Sequence, residues 1–171
     1  MKVLPKSACP ELKLETVSRG TWRLADRKPQ HFTMVVFYRG HHCPLCKKQL
    51  QELDAMVDEF AEAGIDLVAI SMNSQELAER AVKEWEIEKL TVAYGLSLEE
   101  AQRWGLFISA AVKGNEPDRF SEPGLFFVRP GGELYAASIQ TMPFARPPAR
   151  KLLSFLSWVA ENDYPARGEA G

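Results

Sequence analysis

Seven residues, Phe32 to Tyr38 (FTMVVFY), form a nearly unbroken apolar run that leads directly into Arg39-Gly40-His41-His42-Cys43-Pro44. A run of strand length that is apolar at nearly every position must be covered on both faces, which selects a layered α/β architecture over a half-exposed sheet. The next elements alternate accordingly. Leu50, Leu53, Val57, Phe60 and Ala61 recur at helical spacing up to Gly64, predicting one long amphipathic helix that begins at the cysteine segment. Residues 65–70 read as a second buried strand. Asn73 with Glu76 reads as a capping box for a helix carrying Leu77, Ala81 and Trp85. Residues 91–94 read as a third strand, and Ser97 with Glu100 caps a short helix before a loop of roughly fifteen residues.

Residues 11–24 hold two short apolar-rich runs around Gly20, read as an amino-terminal hairpin. Near the other end, residues 125–128 and 134–139 flank Pro130-Gly131-Gly132, a hairpin pattern, and Leu152, Phe155, Leu156 and Val159 mark a closing helix. The expected fold is α/β and thioredoxin-like: a central mixed sheet flanked by helices, with an N-terminal hairpin and right-handed parallel crossovers. The chain of 171 residues suits one domain, 1–171, with a core that needs no staples. The terminal stretches MKVLPKSA and ARGEAG read as loosely held.

Charge and composition narrow the function. A formal net charge of -2 and no long basic run argue against a nucleic-acid partner. The opening segment has no apolar run of signal-peptide length and no stretch approaches a membrane span, so a cytoplasmic protein is expected. Three cysteines are too few for a secreted disulfide framework, and a closely spaced pair in a reducing compartment is more often catalytic or metal-binding.

That pair is Cys43 and Cys46. A cysteine at a strand-to-helix junction sits beside unpaired backbone N–H groups and the positive end of the helix dipole. Pro44 suits the first helical position and makes Cys43 the N-cap. Such surroundings lower a cysteine pKa from ~8.5 to somewhere between ~3.5 and ~7.5, so Cys43 is the expected nucleophile. Cys46 lies three residues on, its Cα roughly 5 to 6 Å away on the first helical turn, within disulfide range. His41 and His42 are candidates to stabilise the thiolate or move a proton, with surface exposure the plainer reading for at least one of them.

Two plainer readings of the pair stand beside this one. Free cysteines are often only small buried hydrophobes. His41, His42, Cys43 and Cys46 also include the ligand types of a zinc or copper site, though four neighbours on one turn converge poorly on a tetrahedral centre and no second ligand pair follows. Cys9 reads as an exposed thiol near the start of the chain, without a role. Trp85, Trp104 and the FARPPAR segment read as packing, and no organic cofactor is expected.

The segment FYRGHHCPLCKKQL resembles the active-site segment of the alkyl hydroperoxide reductase and thiol-specific antioxidant (AhpC/TSA) family, in its peroxiredoxin-like branch. The resemblance extends through EPGLFFVRPGGELY to TMPFARP and YPARG. It implies that a Cys43 thiolate reduces hydrogen peroxide or an organic hydroperoxide, that Cys46 resolves the sulfenic acid to a disulfide, and that a thioredoxin-like or glutaredoxin-like dithiol restores the enzyme. It also allows a homodimer, and it places Pro123 where related thioredoxin folds carry a cis proline against the cysteines. Two features depart from typical peroxiredoxins. Val36 and Gly40 stand where those proteins have a proline and a threonine or serine. Pro123 stands near their peroxide-holding arginine, for which Arg39, Arg119 and Arg146 are the open substitutes. These departures keep a thiol-disulfide oxidoreductase acting on protein disulfides open as an alternative, and the HHCPLC segment itself leaves open a non-catalytic metal-binding or redox-sensing module.

Overall fold

The computed structural model describes residues 3–170. Strand β3, Phe32–Phe37, is buried at all six positions and is the middle strand of a five-stranded sheet. Its sequence dictates this place, since five of the six residues of the strand are apolar. On one side it pairs in parallel with β4, Ile65–Ile70, which pairs in parallel with β5, Thr91–Ala93. On the other side it pairs antiparallel with β8, Gly124–Val128, followed by antiparallel β9, Leu134–Ile139. Two small hairpins lie outside this sheet: β1, Lys13–Glu15, with β2, Thr21–Arg23, and β6, Ile108–Ala110, with β7, Arg119–Ser121.

The period-two alternation of β3 divides the core into two halves. Phe32, Met34 and Val36 join a cluster with Leu50 and Leu53 of α1 (Pro44–Ala55), Phe60 of α2 (Val57–Glu62), Ala81 of α3 (Gln75–Glu84), and Leu156 and Val159 of α5 (Ala149–Asn162). Val35 and Phe37 face the opposite cluster, with Trp22 of the N-terminal hairpin and Ala101 and Trp104 of and beside α4 (Leu98–Arg103). The sheet is thus mixed and covered on both faces, as expected, and Cys43 and Cys46 belong to the first cluster. No helix among the described residues is long and apolar enough to cross a membrane.

Several local expectations need correction. The helix predicted to run from the cysteines to Gly64 is two helices, interrupted at Met56, whose φ of -110° and ψ of 6° leave the helical basin. Asp58 and Glu59 in the first turn of α2 are the acidic start signal that apolar periodicity overlooks. Asn73 does not cap α3: Ser74 does, its hydroxyl accepting the Leu77 N–H, and the buried Asn73 turns toward the cysteine loop. Ser97 and Glu100 do form the reciprocal box at α4. The loop after α4 contains the β6–β7 hairpin. Phe155 of α5 faces solvent, stacked on Trp158, rather than the core.

The ends are tied down rather than loose. The Lys6 N–H donates to Leu134 O at 2.8 Å, Ala8 bridges Glu133, and Lys6 Nζ pairs with Glu169 at 2.7 Å. Met1, Lys2 and Gly171 lie outside the described residues. Cys9 is likewise half-buried against the second cluster, its N–H on Gly132 O, and burial pushes its thiol up to about 12. A thiol so raised is inert at neutral pH.

Candidate active site

The site is built where β3 ends and α1 begins. Cys43 is the N-cap of α1 and Pro44 the first helical residue, so the Cys43 sulfur accepts the otherwise unpaired Cys46 N–H at 3.2 Å. The approach to this cap depends on Gly40. Its φ of +136° is open to glycine, and a Cβ there would lie 2.6 Å from Asn73 Nδ2 and 2.8 Å from Asn73 Oδ1. Asn73 in turn accepts the His41 N–H at 2.8 Å, and Gly40 O accepts the Cys43 N–H at 3.1 Å. A glycine that looks like a missing hydroxyl in the sequence is therefore a backbone requirement of the loop.

Both sulfurs are inside the protein: Cys43 is 1% exposed and Cys46 fully buried. Burial alone raises a thiol pKa, yet Cys43 is lowered to about 6. The Cys46 thiol donating to the Cys43 sulfur is the largest cause, with the Cys46 N–H, Arg146 and Arg39 adding to it. Cys46 moves the other way, held well above the usual thiol range by burial and by sharing its proton with Cys43. Two adjacent cysteines have thus been given opposite roles by geometry. The two shifts place negative charge preferentially on Cys43 and the proton on Cys46.

The charge is faced by Arg146. This residue lies in the segment between β9 and α5, and its Nη2 is 3.2 Å from the Cys46 sulfur and 3.8 Å from the Cys43 sulfur. The rest of its guanidinium is fixed by Gln49 Oε1 of α1 and by Pro143 O. A rigid fork of donors held on two other acceptors is well suited to face the negative charge of the pair. Reading FARPPAR as packing is corrected here. Among the arginines left open as substitutes, Arg146 reaches the sulfurs, and no sequence signal marks it because it lies a hundred residues from the pair.

The other candidates are placed as follows. Arg39 turns from the sulfurs to Glu122, Nε to Oε2 at 3.3 Å, and lies over the Phe120 ring at 4.8 Å. Arg119 is exposed on β7. His41 stacks on Trp85 and hydrogen-bonds Glu84 at 2.7 Å. His42 packs edge-on against Phe120 with neither ring nitrogen bonded, and burial, followed by the Arg39 charge, lowers its pKa. Among the described residues neither imidazole hydrogen-bonds a cysteine sulfur, and no group of three or more His, Cys, Asp or Glu is arranged to hold a metal. Pro123 is buried just before β8 and lines a small cavity with Gln49 and Arg146, but no peptide bond among the described residues is cis. The expectation of a cis proline is corrected.

Solved structures with the same fold include peroxidoxin BcpB from Mycobacterium tuberculosis, 15% identical over 92% of this chain and 98% of that one, with a TM-score of 0.73. A peroxiredoxin-like protein from Aquifex aeolicus is 14% identical over 93% and 89%, with a TM-score of 0.75. AhpC from Enterococcus faecalis is 14% identical over 96% and 99%, with a TM-score of 0.75. At such identities the likeness concerns the fold. No curated protein matches the sequence. The model of the AhpC/TSA family matches residues 5–137, which include the cysteine loop and the central sheet up to all but the last two residues of β9, and the chain belongs to that family.

Proposed function

We propose that this protein, acting as one domain over residues 1–171, reduces hydrogen peroxide or an organic hydroperoxide with Cys43 as nucleophile and Cys46 as resolving thiol. The observation that carries the reading is the division of labour in the pair: Cys43 lowered to about 6 at the α1 N-cap, its proton kept on the neighbouring Cys46. Peroxide reduction needs an anion first and a protonated partner second.

The Cys43 thiolate attacks the terminal peroxide oxygen. The S–O bond forms, the O–O bond breaks, and the leaving oxygen takes a proton from solvent to depart as alcohol or water. The sulfenic acid then meets the Cys46 sulfur, three residues along the same turn. The S–S bond forms, the S–O bond breaks, and hydroxide leaves as water with the Cys46 proton. An external dithiol of thioredoxin or glutaredoxin type returns two electrons and two protons by exchange through a mixed disulfide. Working as a dithiol supports a reducing compartment such as the cytoplasm. A homodimer is compatible with the reading and is not required by it.

Stopped-flow oxidation of the reduced protein by hydrogen peroxide and by cumene hydroperoxide, followed by mass spectrometry, tests the proposal. Fast oxidation that is lost in Cys43→Ser and ends in a Cys43–Cys46 disulfide is expected. In Cys46→Ser a Cys43 sulfenic acid should persist and be trapped by a dimedone-type reagent. Slow oxidation by both peroxides, beside rapid exchange with protein disulfides, would favour the oxidoreductase reading, for which the absence of a hydroxyl at Gly40 is the supporting observation.

A further inference from the structure

The sulfurs of the reduced pair are covered, yet a disulfide can be reduced only if an external thiolate reaches one of them along the S–S axis. Some element over the pair must therefore yield once it is oxidised. The segment 140–148, between β9 and α5, is the element that touches both sulfurs, and the way it is held is unusual. At one end the Gln140 N–H donates to Pro123 O at 3.0 Å, and just past the other end the Ala149 N–H donates to Glu52 Oε1 at 2.9 Å. Between these anchors, among the described residues, the side-chain hydrogen bonds that residues 141–148 make to the rest of the protein come from Arg146, while the Gln140 side chain bonds back to Ser138 of β9. Ala145 bonds only back to Met142, and the Arg146–Pro143 contact is also internal. Burial holds it weakly: Met142 and Phe144 are 52% and 70% exposed, and Pro143, Ala145 and Pro147 are only half-buried.

We propose that Arg146 is a redox-sensitive latch, holding the 140–148 segment over the site while the cysteine pair carries its negative charge and releasing it when the disulfide forms. The inference rests on Cys43 and Cys46 being the redox pair. Charge sets the direction. In the dithiol state the guanidinium faces an anion, and a charge-assisted hydrogen bond is about twice as strong as a neutral one. In the disulfide both sulfurs are neutral and poor acceptors, so the same contact no longer balances the desolvation of a half-buried cation. Between the end anchors, the bond to Gln49 is then the one side-chain hydrogen bond left, among the described residues, tying down a stretch with three prolines and two exposed apolar side chains. Lifting it bares the disulfide to the reducing thiol. Arg146 lies outside residues 5–137, the part of the chain that the family model matches.

The test is hydrogen-exchange mass spectrometry on the intact chain, reduced and after oxidation with diamide, which takes up the two electrons and two protons of the dithiol without any peroxide. Loss of the two thiol protons in the intact mass verifies the disulfide. Peptides spanning residues 140–149 should exchange roughly tenfold faster in the disulfide state, the order set by losing one charge-assisted hydrogen bond, while β3 and β8 peptides stay unchanged. In Arg146→Gln the segment should exchange fast in both states, and the Cys43 thiolate absorbance should titrate at higher pH than in the wild type. Arg146→Lys, which keeps the charge, should retain part of the redox difference. Equal exchange of wild-type 140–149 peptides in both states, with the disulfide verified, would overturn the latch and leave the Cys43–Cys46 pair standing. Failure of diamide to form the disulfide would overturn both.

Discussion

Removing the Cys46 thiol should raise the pKa of Cys43, and two substitutions separate the thiol from everything else at that position. In the folded protein the Cys43 pKa is about 6, against 9.0 for an ordinary cysteine. The Cys46 thiol is the largest cause, whereas the Cys46 N–H comes from the backbone and survives any substitution. A hydrogen bond to a charged group contributes about 1.5–3 kcal/mol, and one pKa unit corresponds to about 1.4 kcal/mol, so Cys46→Ala should raise the Cys43 pKa by roughly one to two. Cys46→Ser replaces the thiol with a hydroxyl donor and should leave Cys43 closer to the wild-type value. The assay is thiolate absorbance near 240 nm against pH, checked by the pH dependence of alkylation by iodoacetamide. At neutral pH, Cys46→Ala should therefore turn a mostly ionised nucleophile into a mixture with the thiol. If Cys46→Ala and wild type titrate alike, the low pKa does not come from the neighbouring thiol. If Cys46→Ser behaves like Cys46→Ala, the donor itself is not what matters.

The pH dependence of stability follows from the same group. The folded Cys43 pKa lies below its unfolded value, so its stabilisation is fully present above ~8.5 and is lost as pH falls through about 6. Urea unfolding of the reduced protein should show stability falling by up to ~3–4 kcal/mol more than in Cys43→Ser across that window. Cys46, raised by burial, should erode stability only above ~8.5, where the unfolded chain ionises and the folded one does not. Identical pH profiles for wild type and Cys43→Ser would contradict the linkage. Gly40→Ala should lower stability by about 1–3 kcal/mol, from its positive φ and the crowding against Asn73. Gly20→Ala, also at positive φ but in open space, should cost less in the same thermal melts. Arg39→Ala should cost about 3 kcal/mol by leaving the Glu122 carboxylate, only 6% exposed, without its cation. Its effect on the Cys43 titration should be small, because Arg39 is the weakest of the causes acting there. A large rise in the Cys43 pKa in that variant would show Arg39 acting on the thiolate directly.

The sequence by itself determined the parts of this protein whose physics is local. The apolar run at Phe32 announced a strand buried on both faces, and the position of Cys43 before Pro44 announced a capped, activated sulfur, because a helix N-terminus acts over a single turn. Ser97 and Glu100 were legible for the same reason. Asn73 and Met56 were not, since a nearby serine can take a cap and acidic residues can restart a helix without disturbing apolar periodicity. The fate of each charged side chain was decided only in three dimensions. His41 and His42 sit next to the nucleophile in the chain, but one turns to Glu84 and the other packs on Phe120. Arg39 is spent on Glu122, and Arg146, a hundred residues away, arrives at the sulfurs because β9 and α5 bring their connecting segment over the start of α1. A thiolate inside a protein needs a counter-charge held at a few ångströms. Chain folding sets that distance, whatever the spacing along the sequence.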